Sequence, residues 1–164
     1  MSKPHAVSFL AFLILSAAAF AADSKPAAAD SSPPYPEGFL QWTQVKTTTL
    51  DPKDPATAKL SSAHFVYADK LALEGLRTGH FPEGAVFVLD ILGLAKKDGG
   101  VTLGERESTS SMVRDARATA TGGWAFGDFD IKTKAALKMD AVTECYKCHT
   151  RKADHEYVFT TLKS

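Results

Sequence analysis

Cys145-Tyr146-Lys147-Cys148-His149, near the end of a 164-residue chain, limits what this sequence can become more than any other feature. The chain holds 2 cysteines in all, so neither a disulfide-stapled scaffold nor a four-cysteine zinc site can be built. C-x-x-C-H is the attachment signature of c-type haem. Thiols three residues apart lie on one face of a helical turn, where each can add across one haem vinyl group to form a thioether. The adjacent imidazole then reaches the iron as proximal ligand, which makes His149 the candidate metal ligand. A redox-active C-x-x-C disulfide is the competing reading. That chemistry places its motif after a strand early in a βαβ unit, whereas here it sits in the last helical pattern of the chain.

The N-terminus is set aside before the fold is read. Lys3 precedes an apolar run from Val7 to Ala22, and Ala19-Phe20-Ala21 has the small-x-small pattern of a signal-peptidase site. The run falls short of the roughly 20 residues needed to span a bilayer, so residues 1–21 are expected to be a cleaved signal peptide rather than a retained anchor. The compartment is then outside the cytoplasm, periplasmic by expectation, with no stable membrane insertion. Residues 22–34, ADSKPAAADSSPP, hold no large apolar side chain and read as a flexible linker. With 19 basic and 19 acidic groups the chain is formally neutral, which removes the basic excess that drives nucleic-acid binding.

From Tyr35 the pattern becomes that of a folded domain, residues 35–164. Pro36 and Glu37 open a short helix with Phe39, Leu40 and Trp42, followed by an extended Val45 to Thr49. Asp51-Pro-Lys-Asp-Pro55 is a loop. Strict alternation from Ser62 to Tyr67 puts Ala63, Phe65 and Tyr67 on one face and Ser62, His64 and Val66 on the other. A helix from Asp69 to Thr78 stops at Gly79, and Pro82-Glu83-Gly84 is a turn. Ala85 to Leu92 is a central strand, and Lys96 to Gly100 a hairpin tip leading into Val101. Ser111 to Arg117 and Trp124 to Phe129 are two further strands, while Ala135, Ala136, Met139, Val142 and Cys145 recur at helical spacing. Strands first and a helix last predict an α+β fold, an antiparallel sheet with a C-terminal helix carrying the motif.

In this setting the chain resembles the cytochrome P-460 family, mainly β-sheet c-type cytochromes that include the cytochromes c-prime-beta. The carrying stretches are Tyr35 to Trp42, His64-Phe-Val-Tyr67, Thr78 to Val86, Met112-Val-Arg-Asp115, Gly123-Trp-Ala-Phe126, and Glu144 to His149 followed by Val158-Phe159. The resemblance implies one of two activities. One branch oxidises hydroxylamine with a lysine cross-linked to the haem and a distal carboxylate; the other binds nitric oxide at a five-coordinate haem in an apolar pocket. The lysine position matches Leu89, and Lys96 and Lys97 lie seven or more residues on. The carboxylate position falls among Thr109, Ser110 and Ser111, with Glu105 and Glu107 nearby. The resemblance also implies an open sixth iron position and a homodimer.

Period-two geometry puts Phe87, Leu89 and Ile91 on one face, so if Leu89 looks at the haem, Phe87 does too. Plain sheet core accounts equally well for Phe87 or Leu89 taken alone. An apolar distal wall has no base for the protons that hydroxylamine oxidation releases, and suits a small neutral gas. Arg114, directly after Met112-Val113, is a candidate partner for a haem propionate, with surface pairing to Asp115 or Glu107 as the alternative. Among possible sixth ligands, Met112 reads as core filling and Met139 is too close along the helix to reach the distal side. A lone His64 is more often solvated, and His80 and His155 lie in exposed sequence. The expectation is an exported mono-haem cytochrome that binds nitric oxide or another small gaseous or nitrogenous ligand. Hydroxylamine oxidation and six-coordinate electron transfer to another redox protein are the alternatives.

Overall fold

The computed structural model describes residues 32–49 and 62–162; the leader, most of the linker and the 51–55 loop lie outside the described residues. Five strands form one antiparallel sheet in chain order: β1 Thr43–Thr49, β2 Ser62–Ala68, β3 Val86–Lys97, β4 Gly100–Arg114 and β5 Trp124–Phe129. One helix of nine residues, α1 Lys70–Thr78, interrupts the meander, and a helical segment follows it at residues 141–155. This is the α+β architecture expected from the sequence.

The stops and starts follow local chemistry. Asp69 caps α1 by accepting from Ala72 N at 2.7 Å, and the same carboxylate oxygen accepts from Val86 N at 3.1 Å, tying the helix start to the start of β3. Gly79 ends α1 in the left-handed conformation, φ 83°. The β3–β4 hairpin closes through Asp98 and Gly99, φ 52° and 79°, the two left-handed residues that a tight primed turn requires.

Two expectations are corrected. β4 begins at Gly100 and ends at Arg114, because the polar run from Glu105 to Ser110 pairs along β3 and Asp115 opens a turn. Its side chain accepts from Arg117 N at 2.9 Å. The C-terminal helix does not start near Ala135. Asp130 Oδ1 accepts from Lys132 N and Thr133 N at 3.0 and 2.7 Å, bending the chain into a turn. Ala136 then bridges to Phe129 and Leu137 N donates to Asp128 O at 2.8 Å, so this segment edges β5 instead of coiling.

Both faces of the sheet are covered. On the back, Phe65 stands beside Asp90, Thr109 and Phe129 in successive strands, and the N-terminal segment packs over them. Tyr35 meets Phe129 edge-on at 5.2 Å and Phe39 meets Tyr67 at 5.4 Å. Pro33 is buried and packs against Gly127. Asp90, 2 % exposed, pairs with both arms of Arg106 at 2.5 and 3.0 Å. On the front, one row runs Ala68, Phe87, Met112, Phe126 and the next Val66, Leu89, Ser110, Asp128. Ala68, Ala72, Ala85, Phe87, Met112, Trp124, Phe126 and Val158 form the main core between this face and its helical cover. Phe81 lies on Gly75 of α1 and meets Phe87 and Trp124 at 5.6 and 5.5 Å.

Candidate functional site: a cavity beneath the cysteine motif

Asp140 starts the segment that carries the motif. Its carboxylate accepts from Val142 N and Thr143 N at 3.0 and 3.3 Å, while Glu144 Oε1 accepts from Asp140 N at 2.8 Å, a reciprocal cap. Behind it come a π-helical turn Ala141–Tyr146, a single α-helical turn α2 Lys147–His149, and a 3₁₀ turn Thr150–His155. Wide turns of this kind recur at functional sites. The segment presents Cys145, Cys148 and His149 to one cavity of about 380 Å³, within the size range of cofactor pockets.

The front of the sheet supplies the opposite wall. Val66, Phe87, Leu89, Met112 and Phe126 line it with apolar surface, and Val158 and Phe159 add to it from the C-terminal tail. Thr48 and His64 line it one rung beyond Val66, Lys46 and Ser110 flank the Val66–Leu89 pair, and Glu144 of the motif segment lines it too. His64 Nε2 lies 3.0 Å from Ser62 Oγ. Ser110 and Ser108 both donate to Asp128 Oδ1, at 3.0 and 3.3 Å.

His149 is fixed from two directions. Its Nδ1 lies 2.7 Å from the carbonyl oxygen of Tyr157, which can only accept, so Nδ1 carries the proton and Nε2 keeps its lone pair for a metal. Phe126 and Phe159 flank the ring at 5.0 and 5.1 Å. Burial holds its pKa below the usual histidine value against the opposing effect of the Tyr157 hydrogen bond, which keeps the imidazole a neutral ligand.

The thiols are both free. Burial first, then the charges of Asp128, Glu144 and Cys148, push Cys145 up to about 11. Redox-active C-x-x-C pairs work in the opposite way, with a thiol lowered into the physiological range. This disfavours the disulfide reading. Among the described residues no three His, Cys, Asp or Glu side chains converge on a metal site, so a bare ion has no ligand set. An iron that brings a flat macrocycle as its equatorial ligands needs only the axial imidazole, and the two thiols beside an apolar slot fit such a group.

The family model described as Cytochrome P460 matches residues 36–160, and the match includes both walls of this cavity. The chain belongs to the cytochrome P460 family. No curated protein matches it. Family membership makes it a haem cytochrome of the c type, and Cys145, Cys148 and His149 line the one cavity together. Among the described residues no helix is long and apolar enough to cross a membrane.

The remaining residues named from sequence divide. Phe87 and Leu89 face the cavity together, as period two requires. Arg114 does not line it. Its Nη1 donates to Gly123 O at 2.5 Å and its guanidinium lies over Trp124 at 5.8 Å, while Asp115 pairs with Arg117 instead. Met112 is buried in the core and also lines the cavity. Of the three residues at the family's carboxylate position, Ser110 and Ser111 both line the cavity and Thr109 does not; none of the three is a carboxylate.

Sequence reasoning missed His64 and Val66 as cavity residues. The alternation separated the two faces of β2 correctly, but aromatic Phe65 and Tyr67 drew attention to the other face, and covering on both sides leaves no solvent-exposed face to tell them apart. Phe159 and the Tyr157 carbonyl were also missed, since a backbone acceptor has no side-chain signal.

Proposed function

We propose that this member of the family is an exported mono-haem cytochrome, with haem c bonded to Cys145 and Cys148 and ligated by His149, that binds nitric oxide or a similarly small neutral ligand at an open iron position. When bound, the haem supplies an iron site with ligand affinity. The chain's part is to hold the axial imidazole neutral and oriented, to exclude water with Val66, Phe87 and Leu89, and to limit the size of what enters. The observation that carries the reading is Leu89. It stands in the cavity wall, the resemblance matches it to the cross-linking lysine of the oxidising branch, and an alkyl side chain can neither form that bond nor accept a proton.

One observation favours a second reading. His64 lines the same cavity, and an imidazole that reached the iron would make a six-coordinate electron carrier. Visible spectra of the reduced protein with and without nitric oxide separate the two. A spectrum that changes on adding the gas supports ligand binding. A low-spin six-coordinate spectrum indifferent to the gas, lost in His64→Ala, would support the electron carrier. Mass spectrometry of haem peptides is expected to find two covalent links; a third, to Lys46 at the cavity mouth or to another lysine, would point to hydroxylamine oxidation. N-terminal sequencing of exported protein tests cleavage after residue 21, and sedimentation of the purified protein tests the homodimer.

A further inference from the structure

Glu156 and Tyr157, which follow the 3₁₀ turn, are consecutive non-glycine residues in the left-handed region, φ 49° and 69°. Such conformations cost on the order of 1 to 3 kcal/mol each and persist where the surroundings over-determine them. Here the surroundings can be named. Tyr157 N donates to Lys152 O at 2.7 Å and Val158 N to His155 O at 3.0 Å, which closes the reversal. Trp124, wholly buried, donates its Nε1–H to Glu156 O at 2.9 Å. The Glu156 side chain reaches across to the loop between α1 and β3. There Oε1 accepts from His80 Nδ1 at 2.9 Å and Oε2 accepts from Phe81 N at 3.2 Å. The peptide so held presents the Tyr157 carbonyl to His149 Nδ1.

We propose that Glu156 is a positioning residue for the axial ligand: its carboxylate, anchored on Phe81 N–H and His80, holds the left-handed Glu156-Tyr157 peptide so that the Tyr157 carbonyl accepts from His149. The proposal rests on the haem reading and deepens it. A ligating imidazole that donates its second N–H to a fixed acceptor is held in one tautomer and orientation and becomes more basic at the metal. The anchor is remote in sequence, 75 and 76 residues from the groups it grips, and its far end sits on the backbone N–H of Phe81, a residue whose ring packs on Phe87 of the cavity wall.

The test uses Glu156→Gln, Glu156→Ala and Glu156→Gly in the full haem-loaded protein, read by the iron–imidazole stretching band of the reduced, ligand-free form. Gln can keep its oxygen on Phe81 N–H and turn its Nε2–H toward His80 Nδ1 in the other tautomer, and is expected to keep the wild-type band. Ala removes the anchor, and the band is expected to move to lower frequency and broaden. Gly removes the anchor but takes up positive φ without strain, so it folds even if Ala does not. A purely conformational role would be rescued by Gly, and a wild-type band in Glu156→Gly overturns the proposal. A second readout needs no haem: solvent exchange of the His149 Nδ1 proton, followed by NMR on haem-free protein. Exchange is expected to speed up on the order of tenfold in Glu156→Gly, as for loss of a hydrogen bond to a charged group. Unchanged exchange also overturns the proposal. If the wild-type protein carries no iron–imidazole band, the five-coordinate reading has failed, and the exchange measurement alone decides the role of Glu156.

Discussion

Leu89 and Val66 face each other across the β2–β3 ladder and look into the cavity side by side. With Phe87 one rung away, they make the part of the wall nearest the centre of the sheet apolar, while His64 and Thr48, one rung away in the other direction, keep its far end polar. The cavity thus has a dry end and a wet end, set by the pleat of three neighbouring strands.

Shortening Leu89 tests the dry end. Leu89→Ala removes wall without adding polarity, and because the residue is half-buried the stability loss is expected at the low end of the usual range, about 2 kcal/mol. Larger ligands, such as alkyl isocyanides, should gain affinity relative to wild type. Urea unfolding and ligand titration check both, and equal affinities in the two proteins would remove Leu89 from the wall.

Acid should weaken the haem-free fold in two separate ranges. Burial is the leading cause that lowers His149 and His64 below their ordinary value of 6.5. Below that value the unfolded chain binds more protons than the folded one, so stability is present above about pH 6.5 and falls as pH drops through the lowered folded values. Asp115, Asp130 and Asp140 are lowered from 3.8 by hydrogen bonds, to the Arg117 side chain and to groups on Thr133 and Thr143 respectively. Their contribution is lost only below about 3.8. Thermal melts across pH should show two steps. With iron on Nε2 the His149 titration should vanish from the NMR spectrum.

Gly75 is set by the ring that leans on it. A Cβ there would collide with Phe81 Cδ1, so Gly75→Ala must move a ring that itself packs on Phe87 and Trp124. The expected cost is about 1 to 3 kcal/mol despite the better helix propensity of alanine. Denaturant unfolding decides; a stabilised variant would mean that Phe81 moves freely.

Asp90 should matter more than most surface charges. Asp90→Asn keeps the shape but breaks the two-armed pair with Arg106 on the back of the sheet. Because Arg106 stays about one third exposed, the loss is expected at about 1.5 to 3 kcal/mol, the scale of hydrogen bonds to charged groups. The visible spectrum should not change, since the pair lies on the face away from the cavity.

Features with a short-range cause were legible in the sequence. Asp69 and Gly79 bracket α1, Asp98-Gly99 turns the hairpin, and the spacing of Cys145, Cys148 and His149 announces the site. What escaped depends on partners far along the chain. Ala135 and Ala136 have helical spacing, yet the open edge of β5 captures them, and a free edge is a property of the sheet. His64 looked like a solvated histidine because its neighbours across the cavity are some eighty residues away. Glu156 was not singled out at all, since neither its contact with His80 nor its positive φ is visible from local sequence.

Every strand in this sheet pairs with its neighbour in the chain. A meander of that kind pairs only strands that are neighbours in the chain, so it can assemble strand by strand without waiting for distant segments. The segment carrying the two thiols comes after all five strands. One wall of the cavity is therefore complete in the chain before the residues of the opposite wall begin, and the cavity exists only once the C-terminal segment has closed back onto the sheet.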